Sequence, residues 1–240
     1  MTEIVAIIPA RYGSTRFPGK VLSDIHGKTL IQHVYERVSL SSSVSRVVVA
    51  TDDDRIAREV EKFDGKAIMT SPDHKSGTDR VVEASKKTGG DIIVNVQGDE
   101  PLIDPAVIDA VVEKLVHDEE IVCSTAAFPI TDKAVYHDPN TVKVVIDHRG
   151  RALYFSRSPL PFYRDSEFHN AYVHIGIYCF RMDFLYIYIG LKPSVLETAE
   201  KLEQLRILEN GYKIGVVVTE HPAIGVDTEA DLEKVKQLMK

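Results

Sequence analysis

A doubly wound α/β fold on a mostly parallel sheet is predicted by two observations. Short apolar runs alternate with helix-period segments over the first half of the chain, and a strand and a helix of the same kind return at its end. A length of 240 residues allows one sizeable core, or one core and a smaller lobe. Ile4 to Ile8, Val47 to Ala50, Ala67 to Met69 and Ile92 to Val96 are the expected strands. Between them Leu30, Ile31, Val34, Tyr35 and Val38 have the spacing of one helix face, and Ile56, Val60 and Phe63 that of a second. Asp79 to Lys87 and Ala106 to Val116 give two more helices, the latter opened by Asp104 as N-cap and Pro105 as first helical residue. Beyond about Pro129 the chain turns β-rich, with Val144 to Ile146 and Ala152 to Phe155 as a hairpin across the Asp147 to Gly150 turn. Helical spacing returns from Glu197 to Leu208 and is stopped by Asn210 and Gly211. A strand over Ile214 to Val218 and a helix over Thr228 to Met239 follow, and they are expected to rejoin the first sheet. The expected division is an α/β core of residues 1–130 and 205–240 with an insertion at 131–204.

Composition narrows the partners. With 44% apolar and 27% charged residues the chain reads as a globular enzyme, far from disordered or membrane classes. A net charge of −7 argues against general nucleic-acid affinity, which needs a basic face to displace counterions, so phosphate contacts must come from local clusters. Cys123 and Cys179 each sit in an apolar, strand-like run and read as small core hydrophobes. No basic leader precedes Ile4 to Ile8 and no apolar run is long enough to span a bilayer, so a cytoplasmic protein without membrane contact is expected.

Open parallel sheets bind ligands outside the carboxyl ends of their strands. Arg11 to Lys20 follows the first strand and Gly98-Asp99 follows the fourth, so both ends could face one crevice. The first loop holds Arg11, Arg16 and Lys20; Gly13 and Gly19 allow close backbone approach, and Ser14 and Thr15 offer hydroxyls and amides to phosphate oxygens. It lacks the Gly-Lys-Ser/Thr ending of a Walker A loop and the three spaced glycines of a dinucleotide fingerprint, and by itself it could be a solvated basic turn. Asp99 emerges from a strongly apolar strand at the sheet's edge, where a hard cation such as Mg²⁺ takes one or two carboxylates and fills its shell with phosphates and water. Glu100 reads as a cap or orienting group. A second carboxylate, Asp227, precedes the last helix, where it or Thr228 could equally be an N-cap.

Eight collinear runs give the chain a family resemblance. They are Pro9 to Lys20, Ala50 to Asp53, Ser76 to Arg80, Asn95 to Pro101, Ala152 to Ser158, His174 to Tyr178, Leu202 to Arg206 and Gly225 to Thr228. In this order they resemble the 3-deoxy-manno-octulosonate (Kdo) cytidylyltransferases, or CMP-Kdo synthetases. The resemblance implies a sheet of nucleotide-diphospho-sugar transferase type with a β-rich insertion that makes a homodimer. It also implies attack of the anomeric hydroxyl of Kdo on the α-phosphate of CTP, giving CMP-Kdo and pyrophosphate for lipopolysaccharide or capsule assembly in a Gram-negative bacterium.

Residue by residue, the resemblance assigns Arg11 and Lys20 to the triphosphate, and Ala10, Ser76, Gly77, Arg80 and Gln97 to the nucleotide site. Asp99 and Asp227 would share a Mg²⁺ bridging sugar and α-phosphate, with a second Mg²⁺ on the triphosphate. Arg157, His174, Tyr178, Glu203 and Gln204 would meet the acidic sugar. Apart from the family, His174 would read as a core histidine, and Glu203 and Gln204 as an exposed helix face. The segment 161–172 matches the family least. Other readings are 8-amino-Kdo as substrate, a sugar-1-phosphate nucleotidyltransferase, a CMP-sialate or isoprenoid cytidylyltransferase, and a catalytically silent nucleotide-binding regulator.

Overall fold

The apolar runs of the first half become strands β1 (Ile4–Ala10), β4 (Arg46–Thr51), β5 (Ala67–Met69) and β6 (Ile92–Asn95), with a small ribbon of β2 (Asp24–Ile25) and β3 (Lys28–Thr29). This computed structural model describes residues 2–13, 16–74, 76–164 and 170–239. Ser14 and Thr15 of the first loop, and Asp165 and Phe168 of the poorly matching segment, lie outside the described residues. The chain forms two compact units, residues 1–109 with 223–240 and residues 110–222, so the second is wider than the insertion expected at 131–204.

In the first unit β1 pairs in parallel with β4 on one side and β6 on the other, and β4 pairs in parallel with β5. That position explains why Ile4 to Ile8 is continuously apolar: each is at most 8% exposed, since helices cover both faces of a parallel sheet. The crossovers are α1 (Leu30–Ser39), α2 (Asp54–Lys62) and α3 (Gly77–Thr88). Leu30, Ile31, Val34 and Val38 of α1 are buried, as are Ile56 and Val60 of α2. Asp53 caps α2 by accepting from the Arg55 amide, and Ser76 caps α3 by accepting from the Asp79 amide. α4 (Pro105–His117) opens as its sequence predicts, with the Asp104 carboxylate accepting from the Ala106 amide at 2.8 Å.

The second unit holds β7 (Cys123–Pro129), α5 (Lys133–His137), β8 (Lys143–Ile146), β9 (Ala152–Ser156), β10 (Tyr172–Arg181), α6 (Met182–Tyr188), α7 (Val195–Glu200), α8 (Gln204–Glu209) and β11 (Ile214–Val218). β8 and β9 form the predicted hairpin, and the Asp147 carboxylate braces its turn by accepting from the Arg149 and Arg151 amides. β10 runs antiparallel to both β7 and β8, while β11 pairs in parallel with β7. Cys123 and Cys179 are buried free thiols, and burial pushes both well above their ordinary range. The single helix expected over 197–208 is instead two. Lys201 takes a left-handed backbone (φ 57°), the Leu202 amide closes back on the Glu197 carbonyl, and a new helix starts at Gln204. α9 (Glu229–Leu238) belongs to the first unit.

Candidate active site

The strand ends of the first unit converge as the sequence predicts. A pocket is lined by Pro9, Ala10, Arg11, Arg16, Lys20, Val21, His74, Ser76, Gly77, Arg80, Gln97, Gly98, Asp99 and Asp227. All seven residues expected at the nucleotide, together with Asp99 and Asp227, are thus in one place. Gly98 is required by space: a Cβ there would lie 2.8 Å from the Pro9 carbonyl oxygen, so the turn beyond β6 can press against the end of β1 only without a side chain. Gly19 is required by its backbone (φ 72°) and by the Tyr12 ring, 2.9 Å from where its Cβ would stand. Among the described residues nothing stands within 4 Å of where a Gly13 Cβ would be. Tyr12 is in turn covered by Arg55, whose guanidinium carbon stands 3.4 Å from the ring centroid and whose nitrogens donate to Asp53.

The choice of N-cap for α9 decides what Asp227 does. Thr228 takes the cap, its hydroxyl accepting from the Asp231 amide, and the Asp231 carboxylate returns bonds to the amides of Thr228 and Asp227. The Asp227 carboxylate is thereby left for the pocket. Its Oδ1 accepts from Lys20 Nζ at 3.1 Å and its Oδ2 pairs with Arg16 at 2.9 Å. The same Nζ donates to Asp99 Oδ2 at 2.6 Å and to the Val226 carbonyl at 2.8 Å. The Val226 amide donates to the Asp99 carbonyl, which ties the two carboxylate-bearing segments together. Three oxygens therefore surround one cationic nitrogen. Such a hard, oxygen-only donor set with two carboxylates fits Mg²⁺, which completes its octahedron with phosphate and water. Among the described residues no cluster of three or more acidic, histidine or cysteine side chains competes for a metal.

Glu100 lies directly beside Asp99. Its side chain is buried, its Oε2 has no hydrogen-bond partner, and burial, with the neighbouring Asp99 charge, pushes its pKa up to about 8.

The nucleotide wall is built on the start of α3. Gly77 packs near Pro9 and the Gln97 amide, and the N-terminus of a 12-residue helix lends partial positive charge there. Arg80 is 3% exposed, donating from Nη2 to Asp52 at 2.8 Å and from Nη1 to the Thr70 hydroxyl. His74 is a pocket residue that sequence reasoning missed. Its ring bonds Glu83 at 2.6 Å, and Glu83, ionised with its pKa held down to about 2, is fixed by Lys87 and the Ser71 amide. Its signal in the sequence is proximity to Ser76, two positions before the Ser76 to Arg80 run.

The five residues expected at the sugar lie in the second unit. A register shift in β10 between Ile175 and Tyr178 places an irregularity beside His174 and Tyr178, whose rings are 5.4 Å apart. His174 also meets Phe155 edge-on at 5.0 Å. The Thr125 hydroxyl lies 2.7 Å from the Ile177 carbonyl, to which it donates, so its oxygen accepts from His174 Nε2 at 2.9 Å. The ring is neutral, because burial pushes its pKa down to about 3. Arg157 donates from Nε to the Glu200 carbonyl and from Nη1 to the Pro139 carbonyl, while its amide donates to the Glu200 carboxylate. Gln204 is 5% exposed and Glu203 partly buried, so neither forms the exposed helix face that the bare sequence would suggest.

The His174 environment yields a pH prediction. The folded state holds fewer protons than the unfolded chain between the ordinary histidine value of 6.5 and about 3, so stability falls as pH drops through that window. His174→Gln should flatten that dependence by on the order of 2 kcal/mol. Urea denaturation of both proteins at pH 7 and pH 4 checks it.

Comparison with known proteins gives the family. A family model described as cytidylyltransferase matches residues 5–214, which sets the class. The 3-deoxy-manno-octulosonate cytidylyltransferase of Geotalea uraniireducens (strain Rf4) is 53% identical, covering 99% of each chain. A solved CMP:2-keto-3-deoxy-manno-octonic acid synthetase complexed with CTP superposes with a TM-score of 0.96 at 47% identity, covering 99% of this chain and 98% of that one. A putative glucose-1-phosphate thymidylyltransferase from Bacillus anthracis shares the fold at 15% identity, with a TM-score of 0.70 over 98% of this chain and 94% of that one. The chain belongs to the 3-deoxy-manno-octulosonate cytidylyltransferase family. Among the described residues no helix is long and apolar enough to cross a membrane.

Proposed function

We propose that this enzyme activates Kdo with CTP, giving CMP-Kdo and pyrophosphate. The observation that carries the reading is the convergence of Asp99, Asp227, Lys20 and Arg11 with Ser76, Gly77, Arg80 and Gln97 in one pocket. The anomeric oxygen of the sugar forms a bond to the α-phosphorus of CTP as the bond to the β-phosphate oxygen breaks, and pyrophosphate departs. This displacement needs positioning and charge neutralisation more than covalent catalysis.

Arg11 and Lys20 hold the triphosphate and offset charge gathering on the leaving pyrophosphate. Asp99 and Asp227 would hold a Mg²⁺, whose chemistry there would be to favour ionisation of the attacking hydroxyl and to offset phosphate charge. Ala10, Ser76, Gly77, Arg80 and Gln97 seat the nucleotide, with Arg80 kept in place by Asp52 and Thr70. Arg157, His174, Tyr178, Glu203 and Gln204 recognise the sugar; His174, neutral, offers a fixed ring without an additional charge.

The active form proposed is a homodimer, supported by Leu153, Phe162 and Val195, large apolar residues of the second unit that are 61%, 85% and 79% exposed. It would work in the cytoplasm, supplying an activated sugar to lipopolysaccharide assembly. Pyrophosphate release with CTP and Mg²⁺ tests the reading across Kdo, 8-amino-Kdo, sialic acid and hexose 1-phosphates. Kdo is expected to be the preferred substrate, and turnover with a hexose 1-phosphate alone would reject the proposal.

A further inference from the structure

We propose that Lys20 is the positioning residue of the metal site in addition to being a triphosphate ligand. Its ammonium holds the Asp99 and Asp227 carboxylates together in the free protein and gives up that place when nucleotide and metal arrive. The inference rests on the metal reading of those two carboxylates. An ammonium has three N–H groups, and Lys20 spends them on three acceptors: Asp99 Oδ2, Asp227 Oδ1 and the Val226 carbonyl, at 2.6, 3.1 and 2.8 Å. In that state it has none left for a phosphate oxygen. Its side chain is only 11% exposed and that of Asp99 31%, so water screens that pair least, while the pair with the half-exposed Asp227 is the weaker of the two. Two anionic side chains brought to one point repel each other, and the ammonium is what lets them meet before a dication does.

A dication and the ammonium cannot share the position. The free protein should therefore bind divalent ions weakly, because the site is already neutralised from within. A triphosphate offers Lys20 stronger acceptors, draws it off the carboxylates and leaves them to the metal. Nucleotide and metal then raise each other's affinity by the same factor, with Lys20 as the coupling element. Arg16 plays a smaller part, since it pairs with the outer oxygen of Asp227 from a side chain 65% exposed.

Mn²⁺ is the probe, with free ion counted by electron paramagnetic resonance in the absence of nucleotide. Lys20→Met and Lys20→Gln, two variants that keep the length of the stem, should each bind Mn²⁺ at least about tenfold more tightly than the wild type. Asp99→Asn introduced into either should remove that gain. If both lysine variants bind Mn²⁺ no better than the wild type while Asp99→Asn still weakens binding, the metal reading stands and the positioning role of Lys20 is overturned. If Asp99→Asn leaves Mn²⁺ binding of the lysine variants unchanged, the ion is not held here and both readings fall.

Discussion

Asp227→Asn is expected to lower kcat by about 10³-fold or more while leaving the fold intact. The size of the effect follows from what the side chain does and does not touch. Thr228 and Asp231 cap α9 between them, so the helix keeps its start when Asp227 changes. The Asp227 side chain is half exposed, and its pairs with Lys20 and Arg16 contribute little to folding. The amide keeps the shape and loses the charge, and half of the anionic ligand set proposed for the metal goes with it. Kinetics at saturating CTP and Kdo, alongside thermal melting, would check this. Near-normal turnover would reduce Asp227 to a surface residue beside a helix cap.

Gly98→Ala should cost about 10²-fold in kcat/KM and about 1–3 kcal/mol in stability. The added methyl would stand 2.8 Å from the Pro9 carbonyl and 3.5 Å from Ile8 and Ile31, and the carbonyl is main chain that cannot swing aside. The turn beyond β6 must retreat, carrying Asp99 away from Lys20 and from the Val226 segment. Gly13→Ala is the matched control, because its Cβ meets nothing within 4 Å among the described residues and its effect on stability should be small. Assays and melts on the two variants compare a glycine that packing demands with one that it does not.

The features legible in the sequence were those written locally. β1, β4, β5 and β6 announce themselves as buried apolar runs, and α1 to α4 by helical spacing and caps. Two helices were missed for physical reasons. α5 is five residues long with one buried side chain, Tyr136, too short to show a period. α6 follows β10 without a break, and Arg181 at its N-cap makes no side-chain capping bond. The break between α7 and α8 was hidden because it depends on Lys201, a residue type with no preference for the left-handed backbone it adopts.

At the site, residue types and strand ends pointed to a phosphate loop and a carboxylate. The partners of Lys20 could not be read, because Asp99 and Asp227 lie 79 and 207 positions away and only the fold brings them to one nitrogen. The same holds for Asp52, whose bond orients Arg80 from the end of a different strand. The Asp227 ambiguity was local in sequence, yet its resolution needed the observed bonds of Thr228 and Asp231.

Transfer of label from CTP tests the central claim most directly. With Kdo and Mg²⁺, CTP carrying ³²P in the α-position should pass its label to a sugar nucleotide, and CTP labelled at the γ-position should pass it to pyrophosphate alone. Label from the γ-position in the sugar product, or no sugar nucleotide at all, would contradict the account.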